Sequence, residues 1–248
     1  PEMPRESVTS LMGSGLADAL TGVPFNAIVL DHYGLDRSQQ DAMSRGRPVL
    51  VIDDLANRPL GADLVLDSGP ARRTSDYGLL VEGDTRLLLG PAYAPVRPEF
   101  ADQRAEALSH RDGPVRRILV SLGLTDLDGI TGRVLDRLRP RLAAGMSVDV
   151  VVGSGAASLS GLKRLASHDP RLTLHVDSQD MARLTAEADV ALGAAGSTTW
   201  ERCVLGLPSA LVVLADNQKE AAEAMAAAGA AIILNAGAPE FEAKIGRA

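Results

Sequence analysis

The stretch EADVALGAAGSTTWERCVLGLP, residues 187–208, decides how the fold is read. It opens with a near-continuous apolar run, Ala188 to Gly193, which is what a parallel strand buried on both faces requires. A glycine-containing loop follows, then Ser197 and Thr198 open a helical stretch, and Pro208 precedes the next strand. Strand, glycine loop, helix, strand is the unit of an α/β protein.

Working outward, the same alternation fills the chain. Short Val, Ile and Leu runs recur at Ala27 to Leu30, Pro48 to Ile52, Leu64 to Leu66, Arg86 to Leu89, Ile118 to Leu122, Val148 to Val152, Leu172 to Val176, Val190 to Leu192, Ala210 to Leu214 and Ala231 to Leu234. Helical patterns lie around Ile130 to Leu142, Leu159 to Ala166 and in the Ala-rich run Glu220 to Ala230, and a small-residue pattern covers Gly13 to Leu20. Between Phe100 and Arg117 the pattern breaks into a polar stretch with Arg104, Glu106, His110, Arg111, Asp112, Gly113 and Pro114. The expected division is therefore an N-terminal domain with its linker over residues 1–113 and a C-terminal domain over 114–248, the latter doubly wound with ligands at the carboxyl ends of its strands.

Composition narrows the function. The chain has 248 residues, 25 Lys and Arg against 32 Asp and Glu, and a formal charge of −7, a poor start for a phosphate backbone, so nucleic acid is not an expected partner. A single cysteine, Cys203, cannot form an internal disulfide, and the four histidines and one cysteine show no CxxC or HxxxH spacing for a zinc cage. No stretch approaches the roughly 20 consecutive apolar residues of a membrane helix, and no charged-then-apolar signal opens the chain. The expectation is a cytoplasmic protein without membrane insertion. The opening Pro1, and the lack of a buried strand before Thr21, suggest a further segment upstream.

The chemistry concentrates at strand ends. Gly196 lets the backbone approach a ligand closely, while Ser197 and Thr198 start a helix whose free N–H groups suit an anion such as a diphosphate. Glu201, one turn on, is a natural acceptor for the vicinal hydroxyls of a ribose. Local sequence reads equally as a Ser-Thr cap closed by Glu201 in a capping box. Asp216, Asn217 and Gln218 open the next helix, again at the ligand-facing end, where Asp216 or Asn217 could simply cap it. Gly123 and the Gly153-Ser154-Gly155 turn are further strand-to-loop glycines, but neither a GxGxxG fingerprint nor a GxxxxGK[ST] loop is present, so no nucleotide cofactor is expected. In the first half, Asp31-His32-Tyr33 places an acid, an imidazole and a phenol at a strand end. Asp36 reads as a helix cap. Asp53-Asp54 alternate across a strand, so a salt bridge to Arg58 or Arg47 is preferred to a shared metal, and no metal site is expected.

Together the runs LDHYGLD (Leu30 to Asp36), VIDDLANR (Val51 to Arg58), ADLVLD (Ala62 to Asp67), LLLGPAYAPVRPEF (Leu87 to Phe100), ILVSLG (Ile118 to Gly123), the 187–208 stretch and ADNQ (Ala215 to Gln218) resemble the UDP-2,4-diacetamido-2,4,6-trideoxy-β-L-altropyranose hydrolases of bacterial pseudaminic acid biosynthesis. That family is similar to glycosyltransferases built from two facing Rossmann-like domains, the GT-B-like arrangement. The resemblance implies that the C-terminal domain holds UDP, with Gly196, Ser197 and Thr198 near the diphosphate, Glu201 near the ribose, and Gly123 and Gln218 in the substrate site. It implies that Tyr33 and Asn217 are the catalytic-site residues at the sugar, and that water displaces UDP at the anomeric carbon without a metal.

Two features depart from the family pattern. Its first strand and GxGHxxR-type loop, with a histidine thought to act in catalysis, have no counterpart before Leu30, so the N-terminal domain is expected to be incomplete and the chain by itself to release UDP far more slowly than one carrying that segment. The paired glycine after the first C-terminal-domain strand is here Gly123-Leu124, which is expected to narrow that loop. A GT-B-type glycosyltransferase using a UDP-sugar donor, or a non-catalytic nucleotide-sugar binding fragment, are the competing readings.

Overall fold

The computed structural model describes residues 15–235. Its chain divides between Tyr93 and Ala94 into two compact units. All ten apolar runs are strands, and every pairing between them is parallel.

The first unit contains α1 (Leu16–Ala19), β1 (Ile28–Asp31), α2 (Arg37–Ser44), β2 (Val49–Ile52), β3 (Leu64–Asp67), α3 (Thr74–Tyr77) and β4 (Arg86–Leu89). Gly13 and Ser14 of the expected first helix lie outside the described residues. The sheet order is β1-β2-β3-β4, with Leu30, Val51, Val65 and Leu87 in one cross-strand row. Leu30, Val51 and Val65 bury that row with Met43, Leu60 and Tyr77. Asp36 caps α2 as anticipated: its carboxylate accepts from Gln39 N at 3.0 Å, and the Gln39 side chain accepts from Asp36 N, closing a capping box.

The second unit contains α4 (Pro98–Asp102), α5 (Arg104–Ser109), β5 (Arg117–Ser121), α6 (Ile130–Leu138), β6 (Ser147–Val152), α7 (Leu159–His168), β7 (Leu172–Val176), α8 (Met181–Glu187), β8 (Val190–Ala194), α9 (Thr198–Val204), β9 (Ser209–Val213), α10 (Lys219–Ala227) and β10 (Ala231–Asn235). Its sheet runs β10-β9-β8-β5-β6-β7. The chain starts at the centre with β5, winds outward through β6 and β7, then returns to the other side of β5 and winds outward again. One face packs Ile118, Val120, Val148 and Val150 against Val134, Leu135 and Leu162; the other packs Leu119, Val151 and Ala191 against Leu184 and Leu207. Both faces are apolar because both are covered, which is why these strands read as unbroken hydrophobic runs.

The boundary lies earlier than the polar stretch suggests. Residues 94–113 belong with the second unit, where Phe100 and Ala107 pack with Ala182, Ala186 and Leu205. Arg111 donates to the carbonyls of Thr185, Ala188 and Leu205, Arg104 donates to the carbonyl of Val204, and a ring nitrogen of His110 lies 3.0 Å from the carbonyl of Ala186. The charges that resembled a solvated linker instead satisfy carbonyls left open at the ends of α8 and α9. No described helix is long and apolar enough to cross a membrane.

Candidate functional site

In an open α/β sheet the ligand crevice opens where the strand order reverses. In the second unit that point is the gap between β5 and β8, where Ser121 is registered against Gly193. The loops after β5 and β8 flank it, and the loop after β9, the next strand over, emerges from the same end. Gly123, Gly196, Ser197, Thr198, Asn217 and Gln218 are therefore on three adjacent loops, and Glu201 is in the first turns of α9.

Gly123 has φ 103°, a backbone conformation that favours glycine, and is exposed. Its neighbour Leu124 accepts from Gly153 N at 2.9 Å, and a Cβ on Gly153 would lie 2.6 Å from that carbonyl, so the two glycine loops are closed against each other. The Leu124 side chain is 62% exposed. It stands in solvent instead of being packed into the loop.

At the β8–α9 loop the capping-box alternative does not form. Ser197 occupies the N-cap position with no side-chain capping bond, and Gly196 and Ser197 are both exposed. A Cβ on Gly196 would meet nothing within 4 Å, so the packing of the chain itself does not demand a glycine there. Glu201 turns away from the cap: its Oε1 accepts from Nε and Nη2 of Arg97 at 3.4 and 3.3 Å, and its side chain is only 15% exposed. Burial pushes its carboxyl above the usual glutamate range, while Arg97 pulls the other way.

Beneath the loop is a residue that the sequence reading passed over. Arg202 is buried, and donates from Nη2 to the Ala194 carbonyl at 2.8 Å and the Thr199 hydroxyl at 3.0 Å, and from Nη1 to the Thr198 hydroxyl at 3.1 Å. Its guanidinium rests on Gly193, where a Cβ would come within 2.5 Å of Nη1. Nothing in the sequence of α9 sets Arg202 apart, since Glu201 directly precedes it and the two threonines share its turn.

On the third loop, Asp216–Gln218 forms a single 3-10 turn without a side-chain cap, so neither Asp216 nor Asn217 does the expected capping. Gln218 Oε1 accepts from Leu214 N at 3.0 Å, which ties the end of β9 to the loop. Asp216 pairs with Lys219 at 2.7 Å, and Asn217 is exposed.

Tyr33 belongs to the first unit. It is exposed at the end of β1, and its Oη donates to Asp54 Oδ2 at 3.1 Å. Partial burial, then Asp54, push the phenol up to about 12. Asp53 pairs with Arg58 at 2.7 Å, and Asp67 with Arg72 at 2.6 Å, while Tyr77 Oη lies 2.9 and 2.7 Å from the two carboxylates. Asp53 also accepts from Ala56 N at 2.8 Å, so the Arg58 option holds and its oxygens are occupied by donors. Among the described residues, no three of His, Cys, Asp and Glu converge as metal ligands would.

No family model matches the chain. The spore coat polysaccharide biosynthesis protein SpsG of Bacillus subtilis is 29% identical over 164 residues, 63% of this chain and 46% of that protein. The UDP-2,4-diacetamido-2,4,6-trideoxy-beta-L-altropyranose hydrolase of Campylobacter jejuni is 24% identical over 207 residues, 83% of this chain and 72% of that protein. The chain thus spans about half the length of SpsG and nearly three quarters of the hydrolase. Among solved structures, Acinetobacter baumannii MurG is similar at TM-score 0.57 and 19% identity, over 92% of this chain and 66% of that one. The spinosyn rhamnosyltransferase SpnG complexed with thymidine diphosphate is similar at TM-score 0.56 and 16% identity, over 93% and 64%. A co-structure of S. aureus MnaA with UDP is similar at TM-score 0.58 and 10% identity, over 94% and 66%. The chain has the GT-B-like fold class: two parallel-sheet α/β units of the kind seen in glycosyltransferases.

Proposed function

We propose that the protein binds a UDP-linked diacetamido-trideoxy sugar and hydrolyses it to UDP and the free sugar, in the cytoplasm. The observation that carries this reading is the crevice at the β5/β8 order reversal, where an exposed Gly196-Ser197 turn free of capping duty lies one helical turn from a partly desolvated carboxylate, Glu201. Gly123, Gly196, Ser197 and Thr198 take the diphosphate, Glu201 accepts from the ribose hydroxyls, and Gln218 holds its loop in place for the substrate. Tyr33 and Asn217 serve the sugar. The match to the Campylobacter hydrolase, which covers most of this chain, supports the choice of substrate and reaction.

In the reaction a water oxygen bonds to the anomeric carbon as the bond from that carbon to the UDP oxygen breaks, and one proton is released. Tyr33, held in its neutral form by burial and Asp54, contributes a hydrogen bond and not the base. Asn217 has no useful basicity and orients the sugar or water. A transferase that passes the sugar to an acceptor is the second reading, favoured by the fold shared with the rhamnosyltransferase SpnG. Incubating the sugar nucleotide with the protein in ¹⁸O-water separates the two. Free sugar carrying one ¹⁸O, formed without any acceptor, supports the hydrolase; turnover that needs an acceptor overturns it.

A further inference from the structure

The second unit buries a positive charge that no carboxylate among the described residues pairs with directly; Glu201 acts on it only through space. Arg202 is 3% exposed, and among the described residues no carboxylate lies within ion-pair distance of it. Its neighbour in sequence, Glu201, is directed to Arg97 instead. Three neutral acceptors serve its two terminal nitrogens, and its Nε has no hydrogen-bond partner among the described residues. A guanidinium in that setting is unfavourable unless an anion comes near it. Burial lowers its pKa only to about 10, so it remains charged at neutral pH.

The position of the acceptors matters as much as the charge. Ala194 lies before the exposed Gly196-Ser197 turn, and Thr198 and Thr199 lie after it, so one planar side chain joins both stems of the loop. Gly193 leaves room for this, since any side chain there would occupy the place of the guanidinium.

We infer that Arg202 is a positioning residue for a bound diphosphate: it fixes the stems of the β8–α9 loop and supplies, from below, the counter-charge that the anion finds above. This rests on the reading of the crevice as a nucleoside diphosphate site. It goes further by giving the charge to a residue that does not touch the ligand. A residue that only packs would affect stability, or weaken all ligands alike. Arg202 discriminates between a charged ligand and the same ligand without its phosphates.

The experiment is calorimetry of UDP and of uridine, at one pH and one ionic strength, on the wild type, Arg202→Met and Thr199→Val. Thr199→Val is nearly isosteric and removes one acceptor of the guanidinium, so it preserves a test if Arg202→Met does not fold. In Arg202→Met, UDP affinity falls about tenfold or more while uridine affinity holds, in keeping with loss of a poorly screened charge. In Thr199→Val the ratio of UDP to uridine affinity falls a few-fold, about the worth of one charge-assisted hydrogen bond. An unchanged ratio in Thr199→Val, or in a folded Arg202→Met, overturns the inference while leaving UDP binding intact. Failure of the wild type to bind UDP at all overturns the reading of the crevice, and the inference with it.

Discussion

Arg97 Nη2 lies 3.3 Å from Glu201 Oε1, and the same guanidinium lies 5.0 Å over the ring of the buried Phe100 and 3.1 Å from Glu99 Oε1. Arg97, just before the polar stretch and within the residues that the sequence placed in the N-terminal domain, therefore supplies the cation for the candidate ribose carboxylate. Phe100 anchors this part of the chain in the second unit, and Arg97 is aimed by the anchor.

This pair sets a pH dependence. Burial raises the Glu201 pKa and Arg97 opposes the rise, so Arg97→Ala raises it further. Only the ionised carboxylate can accept from both ribose hydroxyls, so UDP affinity falls as pH drops through the Glu201 pKa. In Arg97→Ala that fall begins at a higher pH than in the wild type. The sign is opposite for the free protein's stability: a carboxyl with a raised pKa holds its proton more tightly folded than unfolded, so this group favours folding as pH drops through that pKa. Calorimetry from pH 8 downward checks the first statement, and superimposable UDP profiles would remove Arg97 from the role.

Two nearby glycines are expected to behave in opposite ways. Gly193→Ala places a methyl 2.5 Å from Arg202 Nη1 and must displace a buried guanidinium, so about 2 kcal/mol or more of stability is lost. Gly196→Ala meets nothing in the free chain and leaves stability within about 0.5 kcal/mol, but it narrows the approach of a diphosphate and lowers UDP affinity. Denaturant melts and calorimetry on both variants decide it. A destabilised Gly196→Ala with normal UDP affinity would make that glycine a purely architectural one.

In the first unit, one phenol lies between two buried carboxylates, each with its own arginine. Burial and Asp67 push the Tyr77 hydroxyl far above its usual range, so it stays a donor. Tyr77→Phe leaves the two carboxylates without that donor and is expected to lower stability by about 1–3 kcal/mol in urea unfolding. Because Asp53 is already saturated by Arg58, Tyr77 and Ala56 N, UDP release is expected to be unaffected by EDTA; a loss restored by Mg²⁺ would overturn this.

The strands were legible because parallel strands covered on both faces have no polar alternation to hide them; Val148 to Val152 and Leu211 to Val213 leave little other choice. The 187–208 stretch was legible as a loop for an anion because glycine, serine and threonine follow a buried strand. What was hidden depends on partners distant in sequence. Nothing near Glu201 announces Arg97, 104 residues earlier, and nothing near Arg111 shows that its donors end on the carbonyls of Thr185, Ala188 and Leu205. Arg202 was hidden for another reason: in a helix pattern, a lone arginine reads as solvated surface until Gly193 makes room for it.

The last expectation concerns the two residues assigned to the sugar. Tyr33 Oη donates to Asp54 at 3.1 Å, and with its pKa pushed up to about 12 by burial and that carboxylate, it is neutral through the working range of most enzymes. A neutral phenol can hydrogen-bond to a sugar hydroxyl or a water but cannot take the proton of the attacking water. Tyr33→Phe should therefore lower the rate of UDP release by about tenfold, the loss of one neutral hydrogen bond, and Asn217→Ala by a similar factor. A general base would be worth about 10²–10⁴. The pH–rate profile separates the two roles. If Tyr33 only orients, the profile of Tyr33→Phe keeps its shape and drops uniformly. If Tyr33→Phe instead removes a limb of the profile along with nearly all of the rate, the phenol exchanges a proton in the reaction, and its neighbour Asp54, itself shifted upward by burial, becomes the next group to mutate.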